Sequence, residues 1–243
     1  KDPNRRKRPV KRTADGWQEI SWNEAFDLVE TKLKAIRKQY GNNAIATYTG
    51  NPTVHNTGTA ISLYDTINAL KTRNRFASHS LDSVPVFLVN QLMFGHAMLA
   101  PIPDIDQLDY LLIIGANPIA SNGSFMSTPN IKGKIKNIQE RGGKVVVIDP
   151  RKTETAYKAS EHYFIHPEKD VLFLLALVNE LFQRDAVVQS SVLSFSDHLE
   201  ELKDLVQPYT KEVVAPITGI KALEIAHIID DLLQFQNGVV YGR

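Results

Sequence analysis

Not one cysteine occurs in the 243 residues. That excludes disulfides, thiolate-ligated zinc and any iron–sulfur cluster held by this stretch of chain. No apolar run approaches the roughly 20 residues that cross a bilayer as a helix. Excess charge of one sign is missing too: 28 Lys and Arg stand against 27 Asp and Glu, a formal net charge of +1. Such a balance argues against a general electrostatic grip on nucleic acid or anionic lipid. Neither G-x-G-x-x-G nor G-x-x-x-x-G-K-[ST] occurs, so the two best-known phosphate-binding fingerprints are absent. No internal repeat or low-complexity segment is visible, which sets solenoids aside. What is present, 43% hydrophobic and 23% charged residues, is the composition of a globular domain.

The two ends are unusual. The chain opens on "KDPNRRKRPVKR", whose charges lead into no apolar segment, so it is not a signal peptide. Lys1, Arg5, Arg6, Lys7, Arg8, Lys11 and Arg12 carry no interleaved aromatic residue, and nucleic-acid binding is not expected of them. No methionine begins the chain, and "GVVYGR" at 238–243 reads as a strand entering a loop. Both ends read as cut, and the expectation is a piece of a longer protein.

Between them, apolar runs alternate with helical periodicity. In "SWNEAFDLVETKLKAIRKQYG", Ser21 and Glu24 form a capping-box pattern, apolar residues recur at helical spacing, and Gly41 supplies the stop. "NAIATYTG" reads as a short strand, and 58–72 and 84–95 as helices. "LDYLLIIGANP" and "KVVVIDP" are strands apolar on both faces, separated by an amphipathic helix that ends at paired glycines. A shorter strand, "HYFIHP", a mostly apolar helix from Asp170, and helices at 197–206 and 220–235 lead into the last strand. Strands of this kind alternating with helices predict an α/β fold: a parallel, Rossmann-like sheet with helices on both faces, plus part of a second α/β domain. The polar cluster "RNRFASHSLDS" places the boundary near residues 75–85, giving domains 1–78 and 79–243.

Open parallel sheets bind ligands beyond the carboxyl ends of their strands. Two such ends carry polar loops here, "GANPIASN" and "DPRKTETA". Asn117, Ser121 and Asn122 offer amides and a hydroxyl. Asp149 can accept from a sugar hydroxyl or a base N–H, Arg151 can pair with phosphate, and Thr153 and Thr155 can donate to phosphate oxygens. A nucleotide satisfies this mix better than an apolar ligand. Ordinary turn chemistry is the competing reading, since Gly, Asn, Asp and Pro form turns without any ligand.

The stretches "DPNRRKRPVKR" with "GWQEISWNEAFD", then "LMFGH", "DYLLIIGANPIASN", "GGKVVVIDPRKTETA" and "GVVYGR", stand in an order that resembles the molybdopterin oxidoreductases of the dimethyl-sulfoxide-reductase type. That superfamily includes formate dehydrogenases, nitrate reductases and thiosulfate or polysulfide reductases. The resemblance covers essentially the whole chain. It implies a bis(molybdopterin guanine dinucleotide) cofactor with molybdenum or tungsten, and a 4Fe-4S cluster in an N-terminal domain preceding residues 1–78. By the same resemblance, Gly115 and Asn117 approach the pyrophosphate, Asp149, Arg151 and Thr153 hold the ribose and guanine region, and Asp170 reads the guanine. Relatives of this kind usually carry glycine after the proline of "HPEKD", where this chain has Glu168. The resemblance also implies a protein ligand to the metal in the loop before the "LMFG" helix. Ser78, Ser80, Asp82 and Ser83 are the candidates, and Asp82 falls nearest the expected position, with helix capping as its alternative role. A carboxylate is a hard ligand suited to such a metal. His55, at a predicted strand end, is the second catalytic candidate.

The implied activity is two-electron redox or oxo transfer on a small-molecule substrate in the full-length protein, with the fragment inactive alone and an electron-transfer subunit as partner. The alternative is a nucleotide-binding or scaffold domain without metal chemistry. The expected compartment is the cytoplasm, or the periplasm if a twin-arginine signal precedes residue 1.

Overall fold

The computed structural model describes residue 3 and residues 5–53, 55–123, 125–187 and 192–242. Lys1 of the basic start and Arg243 of the final motif lie outside them. Contacts gather the chain into two units, Lys1–Ala100 and Pro101–Arg243.

The first unit opens with a hairpin that the sequence pattern did not reveal. β1 (Val10–Thr13) pairs antiparallel with β2 (Gly16–Glu19). Its strands are short and charged, so no apolar alternation announces them. The turn is closed by Gly16 at φ 129°, and the Arg12 guanidinium lies 5.7 Å from the Trp17 ring centroid. α1 (Trp22–Tyr40) begins as expected, with the Ser21 side chain accepting from the Glu24 amide, and stops at Gly41 with φ 82°. β3 (Thr47–Thr49), α2 (Thr57–Leu70) and β4 (Arg75–Ala77) form a strand–helix–strand unit whose strands pair in parallel. α3 (Val84–Phe94) follows. Among the described residues of this unit only Ile20 and Ile45 are buried apolar side chains. Trp22, Phe26 and Val29, the apolar stripe of α1, are 58%, 63% and 54% exposed. An apolar stripe at helical spacing is the face by which a helix packs, and within this unit that face lies open.

The second unit holds the core. β5 (Tyr110–Ile114), β6 (Lys144–Ile148), β7 (Glu161–Tyr163) and β8 (Gly238–Gly242) form one parallel sheet in the order β7–β6–β5–β8. Connecting them are α4 (Pro118–Ser121), α5 (Ile131–Glu140), α6 (Asp170–Gln183), α7 (Leu199–Val206), α8 (Lys211–Thr218) and α9 (Ala222–Gln234). Alternate strand residues build two cores. Leu111, Ile113, Val145 and Val147 pack with Ile131, Ile135 and Ile138 of α5. Tyr110, Leu112, Ile114, Val146 and Ile148 pack with Phe173 of α6, Val214 of α8 and Ile225 and Ile228 of α9. Both faces are covered, which is why these strands read as unbroken apolar runs.

α8 went unread in the sequence because it is eight residues long and has Pro216 inside, which interrupts any helical pattern. β7 starts one residue before the predicted "HYFIHP" and stops at Tyr163, leaving Phe164 exposed. The paired glycines before β6 have separate tasks. Gly142 takes φ 88°, while at Gly143 an added Cβ would meet the Asp109 carbonyl oxygen and stand 2.9 Å from that of Ile138. Both obstacles are backbone and cannot swing aside. Gly143→Ala is therefore expected to cost about 1–3 kcal/mol, seen as a lower denaturant midpoint. A midpoint equal to wild type would refute the close approach.

Candidate functional site

Numbered by chain order within the sheet, the strands run 3-2-1-4, and the order reverses between β5 and β8. In doubly wound sheets that reversal opens a crevice at the carboxyl ends of the strands. A cleft of about 540 Å³ lies there, lined by Ile114, Gly115, Asp149, Pro150, Asp170, Leu174, Val240 and Gly242. Its size suits a small-molecule or nucleotide site.

Each wall has a local cause. Gly115 turns out of β5 at φ 61°, a left-handed conformation that favours glycine, and its amide donates to the Ile148 carbonyl at 2.9 Å. Asp149 follows β6, and its Oδ1 accepts from the Arg151 amide at 2.8 Å, an Asx turn that shapes the loop. Asp170 is the first residue of α6, and Leu174 lies one turn further on. Glu168, exposed and two residues before that helix start, sits at φ 68°. A left-handed backbone explains why glycine suits the position, and glutamate there carries the strain of its Cβ. The cleft thus offers two carboxylates, side-chain-free backbone at Gly115 and Gly242, and an apolar wall from Ile114, Leu174 and Val240. A flat, polar ligand rich in N–H and O–H donors meets that chemistry.

The loops after β5 and β6 come together on the rim, joined mainly through one side chain. Asn117 Oδ1 accepts from the Thr155 hydroxyl at 2.7 Å and the Thr155 amide at 3.3 Å, and its Nδ2 donates to Glu154 at 2.7 Å. The Ile119 amide donates to the Thr155 hydroxyl at 3.1 Å. Thr153 and Thr155 are buried, and the Thr153 hydroxyl accepts from the Ala156 amide at 3.1 Å. Both threonines thus build the loop, a task for which a hydroxyl is as apt as for touching phosphate. Arg151 stays exposed, its guanidinium 3.7 Å from Glu154. Ser121 and Asn122 end α4 and are exposed, with Asn122 at φ 53° as its C-cap.

The other candidates belong to the first unit. β3 and β4 end together at the Thr49–Ala77 pair. His55 follows β3 through the turn Asn51–Thr53, and Asp82 follows β4 through Ser78–Ser80. Both residues are exposed and leave the carboxyl ends of paired parallel strands. The N-cap of α3 is Ser83, so Asp82 stands one residue outside the capping position.

The family model of the molybdopterin oxidoreductases matches residues 5–211. The chain belongs to this family. It is 29% identical to formate dehydrogenase H of Escherichia coli over 207 residues, 85% of this chain and 28% of that protein. It is 27% identical to the thiosulfate reductase molybdopterin-containing subunit of Salmonella typhimurium over 242 residues, 95% of this chain and 29% of that protein. Acetylene hydratase from Pelobacter acetylenicus shares the fold, with a TM-score of 0.73 at 24% identity over 96% of this chain and 32% of that one. The chain therefore spans about a third of the length of these relatives.

Among the described residues of this molybdopterin oxidoreductase chain, Glu161, His227 and Asp231 have metal-like spacing, their ligand atoms all within 4.8 Å of one another. A cation already stands among them. Lys144 Nζ lies 2.7 Å from Glu161, 2.5 Å from Asp231 and 3.1 Å from His227 Nε2. The cluster joins the first residues of β6 and β7 to α9, at the opposite end of the strands from the cleft. It is an ion-pair tie, and the sequence offered no sign of it. The contacts of Glu154 with Asn117 and Arg151 were not legible either, although it stands inside the quoted loop, because Asn117 lies in a different loop.

Proposed function

We propose that this chain is the part of a molybdenum- or tungsten-dependent oxidoreductase that holds one nucleotide arm of a bis(molybdopterin guanine dinucleotide) cofactor. The observation that carries this reading is the cleft at the sheet's switch point, in a member of this family, with Asp149 and Asp170 as acceptors on its wall. The donor set fits. Two carboxylates can accept from ribose hydroxyls and guanine N–H groups, the apolar wall can pack against a flat base, and Arg151 on the rim can take a phosphate oxygen. When bound, such a cofactor supplies a metal centre that exchanges two electrons with a small-molecule substrate. The residues named here bind and orient; Asp82 is assigned as the protein's oxygen ligand to the metal, and His55 lines the substrate side. Thiosulfate reductase is named as a subunit of a larger enzyme, and an electron-transfer subunit is the expected partner of the whole protein.

The experiment is a titration of GDP and ADP into wild type, Asp170→Ala and Arg151→Ala. Leaving a buried hydrogen bond unmade costs about 1–3 kcal/mol. Asp170→Ala should therefore weaken GDP about tenfold more than ADP. Arg151→Ala should weaken both equally, because phosphate carries no base identity. Equal losses for the two nucleotides in Asp170→Ala would remove that residue from base recognition. Metal analysis of the whole protein separates the proposal from a nucleotide-binding scaffold, for which no stoichiometric molybdenum or tungsten is expected. Since a relative of the same fold is named a hydratase, the activity assay must read electron transfer itself.

A further inference from the structure

The two side chains on the rim best suited to a phosphate, the Asn117 carboxamide and the Arg151 guanidinium, converge on a single oxygen. Asn117 Nδ2 donates to Glu154 Oε2 at 2.7 Å, and Arg151 Nη2 lies 3.7 Å from that same atom. One amide N–H and one guanidinium on an anionic oxygen is the donor set that phosphoryl oxygens also take. We propose that the Glu154 carboxylate stands in for the phosphate of the incoming nucleotide, holding Asn117 and Arg151 until a phosphoryl group displaces it. The proposal rests on the nucleotide reading of the cleft and adds to it a competitor built into the chain.

Three features support displacement over a permanent tie. First, Asn117 is held from its other side by Thr155, so its amide keeps its place when Glu154 leaves. Second, the side chains of Arg151 and Glu154 are 66% and 59% exposed, and exposed pairs of this length are weak and easily exchanged. Third, Glu154 is held below the usual carboxylate range, first by a hydrogen bond from its own backbone and then by the Asn117 amide; burial opposes them, and the Arg151 charge is the smallest of the influences. It therefore carries full negative charge where a phosphate would arrive, and like charges repel. A carboxylate there selects for ligands whose phosphate outcompetes it. It also keeps Arg151 from roaming as a free cation.

The test uses calorimetric titration of the whole protein in its cofactor-free form with GDP, with inorganic pyrophosphate and with guanosine. Glu154→Gln and Glu154→Ala should each tighten GDP and pyrophosphate by about threefold to tenfold and leave guanosine unchanged. Glu140→Gln, which removes an equal charge from an exposed pair with Lys136 at the far end of α5, should change nothing. The gain should vanish in an Arg151→Ala background, because the partner contested by carboxylate and phosphate is then gone. If wild type binds GDP with dependence on Asp170, and both Glu154 variants bind it equally or more weakly, the stand-in role is overturned while the nucleotide reading survives. An equal gain in Glu140→Gln would reduce the effect to bulk charge and overturn it too. If no variant binds GDP, the nucleotide reading falls and takes this proposal with it.

Discussion

Replacing Asp82 with alanine is expected to lower turnover of the protein that carries this chain by at least about 100-fold while leaving its GDP affinity unchanged. The two readouts separate because Asp82 follows β4 in the first unit, whereas the cleft proposed to take the nucleotide is built within the second. Loss of a ligand's supporting partner alone typically costs tenfold to about 100-fold in metal affinity or activity, and loss of the ligand itself should cost no less. Loss of a helix cap would instead show as a stability loss of about 1 kcal/mol without a comparable fall in turnover. Turnover, metal content and denaturant midpoint should be measured together. Wild-type turnover in Asp82→Ala would shift the ligand assignment to Ser78 or Ser80.

The second large effect concerns stability. Lys144→Met should destabilise the protein by about 2–3 kcal/mol, below the 3–5 kcal/mol typical of breaking a fully buried pair. The reduction reflects solvation of Glu161, whose side chain is 31% exposed; that of Asp231 is only 9% exposed. Without the ammonium, these carboxylates face each other and His227 with no cation between them. The substitution should also leave Glu161, His227 and Asp231 as a three-ligand site. Zinc should then raise the denaturation midpoint of Lys144→Met and leave wild type unaffected. Equal midpoints for the two proteins without metal would show that the cluster contributes nothing net.

The same cluster sets a pH window. Burial is the largest single influence on Lys144 and pulls its pKa down, but hydrogen bonds and charges from Asp231 and Glu161 together hold it above the usual lysine value. A raised pKa in the folded state stabilises fully below the unfolded value, and that contribution is lost as pH rises through the folded one. Burial likewise pushes Glu161 up, yet Lys144 and Tyr163 hold it below the usual carboxylate value. Its contribution is present above that value and is lost as pH falls through the folded one. The stability gap between wild type and Lys144→Met should be widest between these limits and narrow towards both.

Much of the second unit was legible in the sequence because local pattern reports burial. Strands covered on both faces must be apolar throughout, and "LLII" and "VVVI" say so without reference to any neighbour. Ser21 and Gly41 delimit α1 through hydrogen bonds that reach only a few residues. The strand ends with their polar loops were visible for the same reason, and the order of motifs carried the family resemblance. Short charged strands such as β1 and β2, and a helix interrupted like α8, leave no such pattern.

What the loops do to one another was decided only by the tertiary structure. Asn117 and Thr155 lie 38 residues apart, and Lys144 and Asp231 lie 87 apart. Each pair meets because parallel strands must be joined by long crossovers, which bring their ends side by side in space while separating them along the chain. The placing of β8 beside β5, which opens the cleft and brings Val240 and Gly242 to its wall, has the same origin. Periodicity tells a residue which face to bury. It says nothing about which distant residue it will meet, and a binding site is made of those meetings.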